Sequence, residues 1–276
     1  MLNFNILLIR PFINELKEQY QITFGILEPE FENILVWAGN SILEIISGTD
    51  ALYHNVEHTM LVTLAGQEII RGKHLKEGGI TPQDWLNFII SLLCHDVGYV
   101  RGILKNDKKG CYDSGVKNKL ITLEKGSTDA ALTAYHVDRS KQFVFDRFEK
   151  VKYLDVDTIA SYIEMTRFPI PADAAHSDTK SLEGLTRAAD FIGQLGDPNY
   201  LRKTPALFYE MQEAKNNSSV TYLNPYDLKI SYAKFYWDVV SPYIKDALVY
   251  LNLTPEGKQW IAQLHSQVFD AEHQRL

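Results

Sequence analysis

Apolar residues recur at three- and four-residue intervals along almost the whole chain, the period of helices that bury one face. In PEFENILVWAGNSILEIISG, residues 29–48, they hold this spacing, and Gly48 stands where a C-cap would end the helix. TPQDWLNFIISLLCHD, residues 81–96, opens with Thr81 as a cap, Pro82 at the first helical position and Asp84 where a capping-box acid belongs, then turns apolar. TPEGKQWIAQLHSQVF repeats the arrangement at Thr254 and Pro255. Segments 57–71, 128–148, 155–166, 182–195, 199–214 and 226–250 also read as helical. No alternating strand pattern or Asn-Gly turn competes with them. Polar loops are expected near 73–80, 103–126, 168–181 and 215–225, none rich enough in Pro or Gly to be a linker. The expected fold is therefore all-α, one multi-helix bundle over residues 1–276, with 103–126 as a lid or insertion.

Composition narrows the function classes. With 45% hydrophobic residues in 276, the chain can bury a large core. A formal net charge of -7 argues against non-specific nucleic-acid binding, which needs a basic face. The apolar run in MLNFNILLIRPF is too short for a membrane span and no small-residue cleavage site follows, so a cytoplasmic protein is expected. Cys94 and Cys111 are too few for a disulfide framework and suit a reducing compartment.

Three stretches carry candidate chemistry. In ALYHNVEHTM, residues 51–60, His54 and His58 are four apart and would share a helix face, able to converge on an ion or to form a structural pair. In LLCHDVGY, residues 92–99, an apolar helix ends in His95 and Asp96, where a buried carboxylate needs a cation or a hydrogen-bonded imidazole. In TRAADFIGQL, residues 186–195, Asp190 lies in an apolar run and must find a partner, which could be Arg187, a backbone group of another segment or the same ion.

Together His58, His95-Asp96 and Asp190 resemble the H…HD…D ligand order of the HD superfamily of metal-dependent phosphohydrolases. YHNVEHTMLV is most similar to the Tyr-His-Asn-x-x-His-x-x-x-Val signature of its class I cyclic nucleotide phosphodiesterases. The resemblance implies a helical phosphodiesterase-like bundle with a metal core at about 50–195 and helices at 199–271 completing the pocket. It implies His54 as the acid for the leaving oxygen, and His58, His95, Asp96 and Asp190 as ligands of a divalent Mn, Fe, Ni, Zn or Mg ion. Asp96 would also orient the attacking water and could bridge to a second ion.

Weaker likenesses add Glu164 in IASYIEMTRF and His136 in AYHVDRS as second-metal or phosphate contacts. SYAKFYWDVVSPY is similar to a purine-binding segment, with Phe235 on the aromatic clamp and Tyr232 where a base-reading glutamine belongs. Tyr99 stands where the phosphodiesterases carry a histidine. Both departures leave the substrate open among nucleotide-type phosphate esters, alarmones and deoxynucleotides, with a silent regulatory module as the alternative to an enzyme.

Other residues have blander expectations. His74, His176, His265 and His273 fit solvated positions, and Cys94 fits a small core residue. Arg101, Lys105, Lys108 and Lys109 could steer an anion, and Arg139, Arg167 or Arg187 could clamp phosphate or pair with an acid. Trp237, Tyr243, Tyr250 and Trp260 could line a pocket, the core or a homodimer contact.

Overall fold

A computed structural model of the chain describes residues 4–117, 119–214 and 222–273. Helices α1 (Phe4–Phe24) and α2 (Pro29–Ile46) form an antiparallel pair, followed by α3 (Val56–Glu77) and α4 (Pro82–Cys94). Beyond a hairpin come α5 (His136–Phe148), α6 (Val156–Glu164) and α7 (Leu182–Leu195). The C-terminal third supplies α8 (Tyr200–Glu213), the short α9 (Pro225–Ile230) and α10 (Tyr232–Phe235), then α11 (Ser241–Leu251) and α12 (Pro255–His273). The all-α expectation holds, and one hydrophobic cluster runs from Ile9 in α1 to Val268 in α12. No helix among the described residues is long and apolar enough to cross a membrane.

The centre of the bundle is α4. Every residue from Trp85 to Cys94 is buried, which accounts for its apolar run without a polar face. Thr81 and Asp84 form the expected capping box, fixing where α4 begins and therefore where its last turn delivers His95 and Asp96. Against α4 lie α3 and α7, which touch each other at small residues. A Cβ on Gly193 would fall 2.5 Å from the Val62 Cα, and one on Gly66 would fall 3.1 Å from the Ala189 Cβ. Glycine permits that approach, and it packs the first half of α3 against α7 from Ala189 to Gly193.

Several boundaries differ from the pattern-based reading. Residues 4–24 form α1, whose 21 residues read in sequence only as a run too short to span a membrane. Lys73, His74 and Leu75, expected in a loop, extend α3 to Glu77. The 128–148 segment is a short 3-10 turn at Asp129–Leu132 before α5, and 226–250 is divided by a π-helical turn at Tyr236–Val240. Helix α2 ends on Ser47, whose amide donates to Leu43 O, with Gly48 one residue beyond. Inside 103–126 sit two antiparallel strands, β1 (Cys111–Asp113) and β2 (Leu120–Thr122), paired Cys111 with Thr122. Three residues per strand are too few to display an alternating pattern. Of the polar loop expected at 215–225, residues 215–221 lie outside the described part.

Candidate metal centre

The expectation that His54 and His58 share a helix face needs correction. Helix α3 begins at Val56, and Asn55 is its N-cap, its side chain accepting from the amides of Glu57 and His58. His54 therefore precedes the helix, and the two rings approach edge to face, centroids 5.3 Å apart, because the chain bends at the cap.

His58, His95, Asp96 and Asp190 come together. The Nε2 atoms of His58 and His95 are 3.3 Å apart. Asp96 Oδ2 lies 3.2 Å from the first and 3.1 Å from the second, while Asp190 Oδ1 lies 3.4 and 3.7 Å from them. His95 Nδ1 donates to the Leu92 carbonyl at 2.7 Å, so its Nε2 lone pair faces the cluster. Three of the four are almost wholly buried, with Asp190 about one-fifth exposed. Asp96 Oδ2 is buried without a hydrogen bond despite its short approaches to both imidazoles.

Electrostatics point the same way. Burial presses the His58 imidazole toward neutrality, yet the Asp190 and Asp96 carboxylates outweigh it and raise its pKa to about 10. The His95 pKa is also raised, against burial, chiefly by Asp96. Burial would keep the Asp96 carboxyl protonated, but His95 and His58 hold its pKa well down. Such a cage demands positive charge. Two imidazole nitrogens and two carboxylates, one of them carrying the orphaned buried Asp96 Oδ2, are donors that a divalent transition ion can satisfy.

His54 stands beside this cage. Its nitrogen, with atoms of His58 and Asp96, makes a second group of potential donors within 4.8 Å of one another. Its Nδ1 donates to Glu210 Oε2 at 2.5 Å, leaving Nε2 for another task. Glu210, on α8, also accepts from the amides of Tyr53 at 2.6 Å and His54 at 3.2 Å. Burial pushes its carboxyl upward, but His54 and these amides bring the net shift below the usual range. Glu210 is absent from the sequence-based set. Its signal is an acid three residues beyond buried Leu207 and two beyond buried Phe208, on the inner face of α8.

The whole constellation lies within a single family match. A family model described as Npun_R2479-like matches residues 2–274. The chain belongs to the Npun_R2479-like family. Neither the curated proteins nor the solved structures give a match.

The remaining candidates of this Npun_R2479-like chain have definite places. His136 Nε2 is 3.7 Å from Asp96 Oδ1, and its Nδ1 donates to Thr133 O at 2.6 Å. Burial lowers its pKa, so it faces Asp96 largely neutral. Glu164 is engaged by Arg167 and Lys141, and Arg167 also reaches Asp138. Tyr232 is buried and donates to Leu195 O at 2.8 Å, with its ring against Tyr200. Phe235 is half-buried and meets Phe168 and Phe191 edge-on.

The arginines proposed as phosphate clamps have internal partners. Arg139 is wholly buried with Asp107, Arg167 pairs with Glu164 and Asp138, and Arg187 donates to the carbonyls of His176 and Asp178, while Arg101, expected to steer an anion, joins Asp50 and Asp129. His176 is buried against Asp173 and His74 packs beside Phe24, so neither is a solvated residue as expected. Trp237 bonds Glu272, the Tyr243 ring lies under Arg187, and Tyr250 is buried.

Proposed function

We propose that this protein is a metal-dependent phosphohydrolase of the phosphodiesterase type, acting on a nucleotide-type phosphate ester. One observation carries the reading: two imidazole nitrogens and two carboxylates meet at one buried place, with a third imidazole alongside that the set does not require. Four protein donors leave positions for water and substrate on a divalent ion.

His58, His95, Asp96 and Asp190 would hold the ion. When bound, it supplies Lewis acidity toward a phosphoryl oxygen and acidifies water in its shell. The chain's own groups do the rest. Asp96, with one oxygen toward the cage and the other toward His136, accepts a hydrogen bond from the attacking water and orients it. His54 gives its Nε2 proton to the departing alkoxide, and Glu210 on Nδ1 fixes the tautomer and supports the charged ring before transfer. Buried Tyr53, packed against both His54 and His58, excludes water from behind the imidazoles.

Tyr232 spends its hydroxyl on a backbone carbonyl and has no paired donor and acceptor for a purine edge. Within the proposed reaction this favours substrates recognised by their phosphate and by stacking, such as linear nucleotides or alarmones, over a cyclic purine nucleotide. The free thiols Cys94 and Cys111 suit a cytoplasmic setting.

The test is elemental analysis of protein purified without added metal, beside bis-p-nitrophenyl phosphate hydrolysis in Mn, Mg and Ni. Wild type should carry about one equivalent of transition metal and turn over, while His54→Ala should keep its metal and lose about 100-fold or more in kcat. Stoichiometric metal without turnover under any ion would favour a silent binding module instead. No metal after reconstitution would sink the reading.

A further inference from the structure

Tyr99 lies between two histidines. Its ring stacks on His54 with centroids 4.6 Å apart and planes 12° from parallel, and on His136 at 4.5 Å and 18°. The phenol is 2% exposed, so it does not reach substrate from solvent. Asp96, one of the candidate metal ligands, is three residues away along the chain.

An imidazole tied at one nitrogen can still pivot about that bond. A flat partner against its face removes the remaining freedom, because tilting would cost the face contact. His54 is tied by Nδ1 to Glu210 and His136 by Nδ1 to Thr133 O, so a single phenol ring fixes both planes. One of the two unused nitrogens serves the leaving group in the proposed reaction, and the other faces Asp96 Oδ1.

Tyr99 is itself held from behind. Arg139 donates through Nε to Gly98 O at 2.6 Å and through Nη2 to Val100 O at 2.9 Å, gripping the backbone on either side of Tyr99. Asp107 balances that buried guanidinium with both oxygens. The Gly98 amide donates to Ser140 Oγ at 2.9 Å, and Ser140 Oγ in turn donates to His95 O at 2.8 Å. A Cβ at Gly98 would lie 2.0 Å from His136 O, so the turn bearing Tyr99 is pressed against the first turn of α5.

We infer that Tyr99 is a positioning residue, a slab clamped by Arg139 that sets the ring planes of His54 and His136 for the reaction. The inference rests on the hydrolase reading but concerns geometry that the metal cage does not need. It separates the role of the ring from that of the hydroxyl: Tyr99→Phe keeps the stack, whereas Tyr99→Leu stays apolar but is smaller and has no flat face.

The experiment measures kcat, KM and bound metal for wild type and both variants with bis-p-nitrophenyl phosphate and Mn. Tyr99→Phe should stay within about twofold of wild type, while Tyr99→Leu should lose about 10- to 100-fold in kcat with KM and metal content unchanged. A Leu variant with wild-type kcat would overturn the inference, as would a Phe variant as impaired as Leu, or metal lost in step with activity. Histidine-selective NMR of wild type keeps the question answerable if Tyr99→Leu does not fold. The carbon-bound ring protons of His54 and His136 should be shifted upfield by the Tyr99 ring current, and ordinary shifts would overturn the stack. Absence of wild-type turnover alongside those upfield shifts would instead mark failure of the hydrolase reading and leave Tyr99 without a reaction to serve.

Discussion

His58 and Asp190 ride on α3 and α7, helices whose backbones touch at Gly193, whereas His54, Tyr99 and His136 come from a pre-helical bend, a 3-10 turn and a helix's first residue. The first group is placed by close-packed core, which cannot shift without opening voids. The second hangs on a few polar bonds, chiefly from Glu210 and Arg139. The difference matches the tasks proposed for them. A cage must hold one shape against its own like charges, while a proton donor needs its ring aimed. Rigid packing serves the first task, and hydrogen bonds with a stacked face serve the second.

Gly193→Ala would break the packed side and should have the largest effect. Its Cβ would meet the Val62 backbone at 2.5 Å, so α3 and α7 must part. We expect about 3 kcal/mol less stability in urea unfolding and weaker metal binding with it. A variant as stable as wild type would mean the helices do not lie this close.

A subtler probe of the cage is pH. The His58 pKa rises from 6.5 to about 10 in the fold without metal, so its contribution to stability is complete below pH 6.5 and is lost as pH climbs through 10. Melting temperatures of metal-stripped protein should therefore fall across that window, and those of metal-loaded protein should fall much less, because the ion replaces the protons. Parallel profiles for the two forms would count against a shared site.

Glu210→Gln tests the hydrogen-bonded side and should have the smallest effect. The amide can still accept from Tyr53 and His54 but no longer supports a charged His54 ring. About a tenfold loss in kcat is expected, with about 1–2 kcal/mol of stability and no loss of metal. Unchanged kcat would detach Glu210 from the chemistry.

The same contrast explains how much could be read from the chain. His58, His95-Asp96 and Asp190 were legible because a polar residue in an apolar helical run is a local anomaly, visible at its own position. The capping box at Thr81 and Asp84 was legible for a similar reason. Glu210 was not, since its importance comes from a loop 156 residues earlier that folds onto it. Arg139 read as a candidate phosphate clamp, and only the return of the 98–113 segment to α5 makes it a buried partner of Asp107. His54 was found for a reason that proved incomplete. Spacing of four suggested a shared helix face, whereas an N-cap at Asn55 and the Tyr99 stack set its direction. The hairpin at 111–122 escaped because its strands are too short for any period.

The most direct test of the central claim is anomalous diffraction from crystals of the full chain grown with Mn. The account predicts one strong peak within about 2–2.5 Å of His58 Nε2, His95 Nε2 and oxygens of Asp96 and Asp190. No peak beside these four side chains, or a peak that leaves out the two imidazoles, would contradict it.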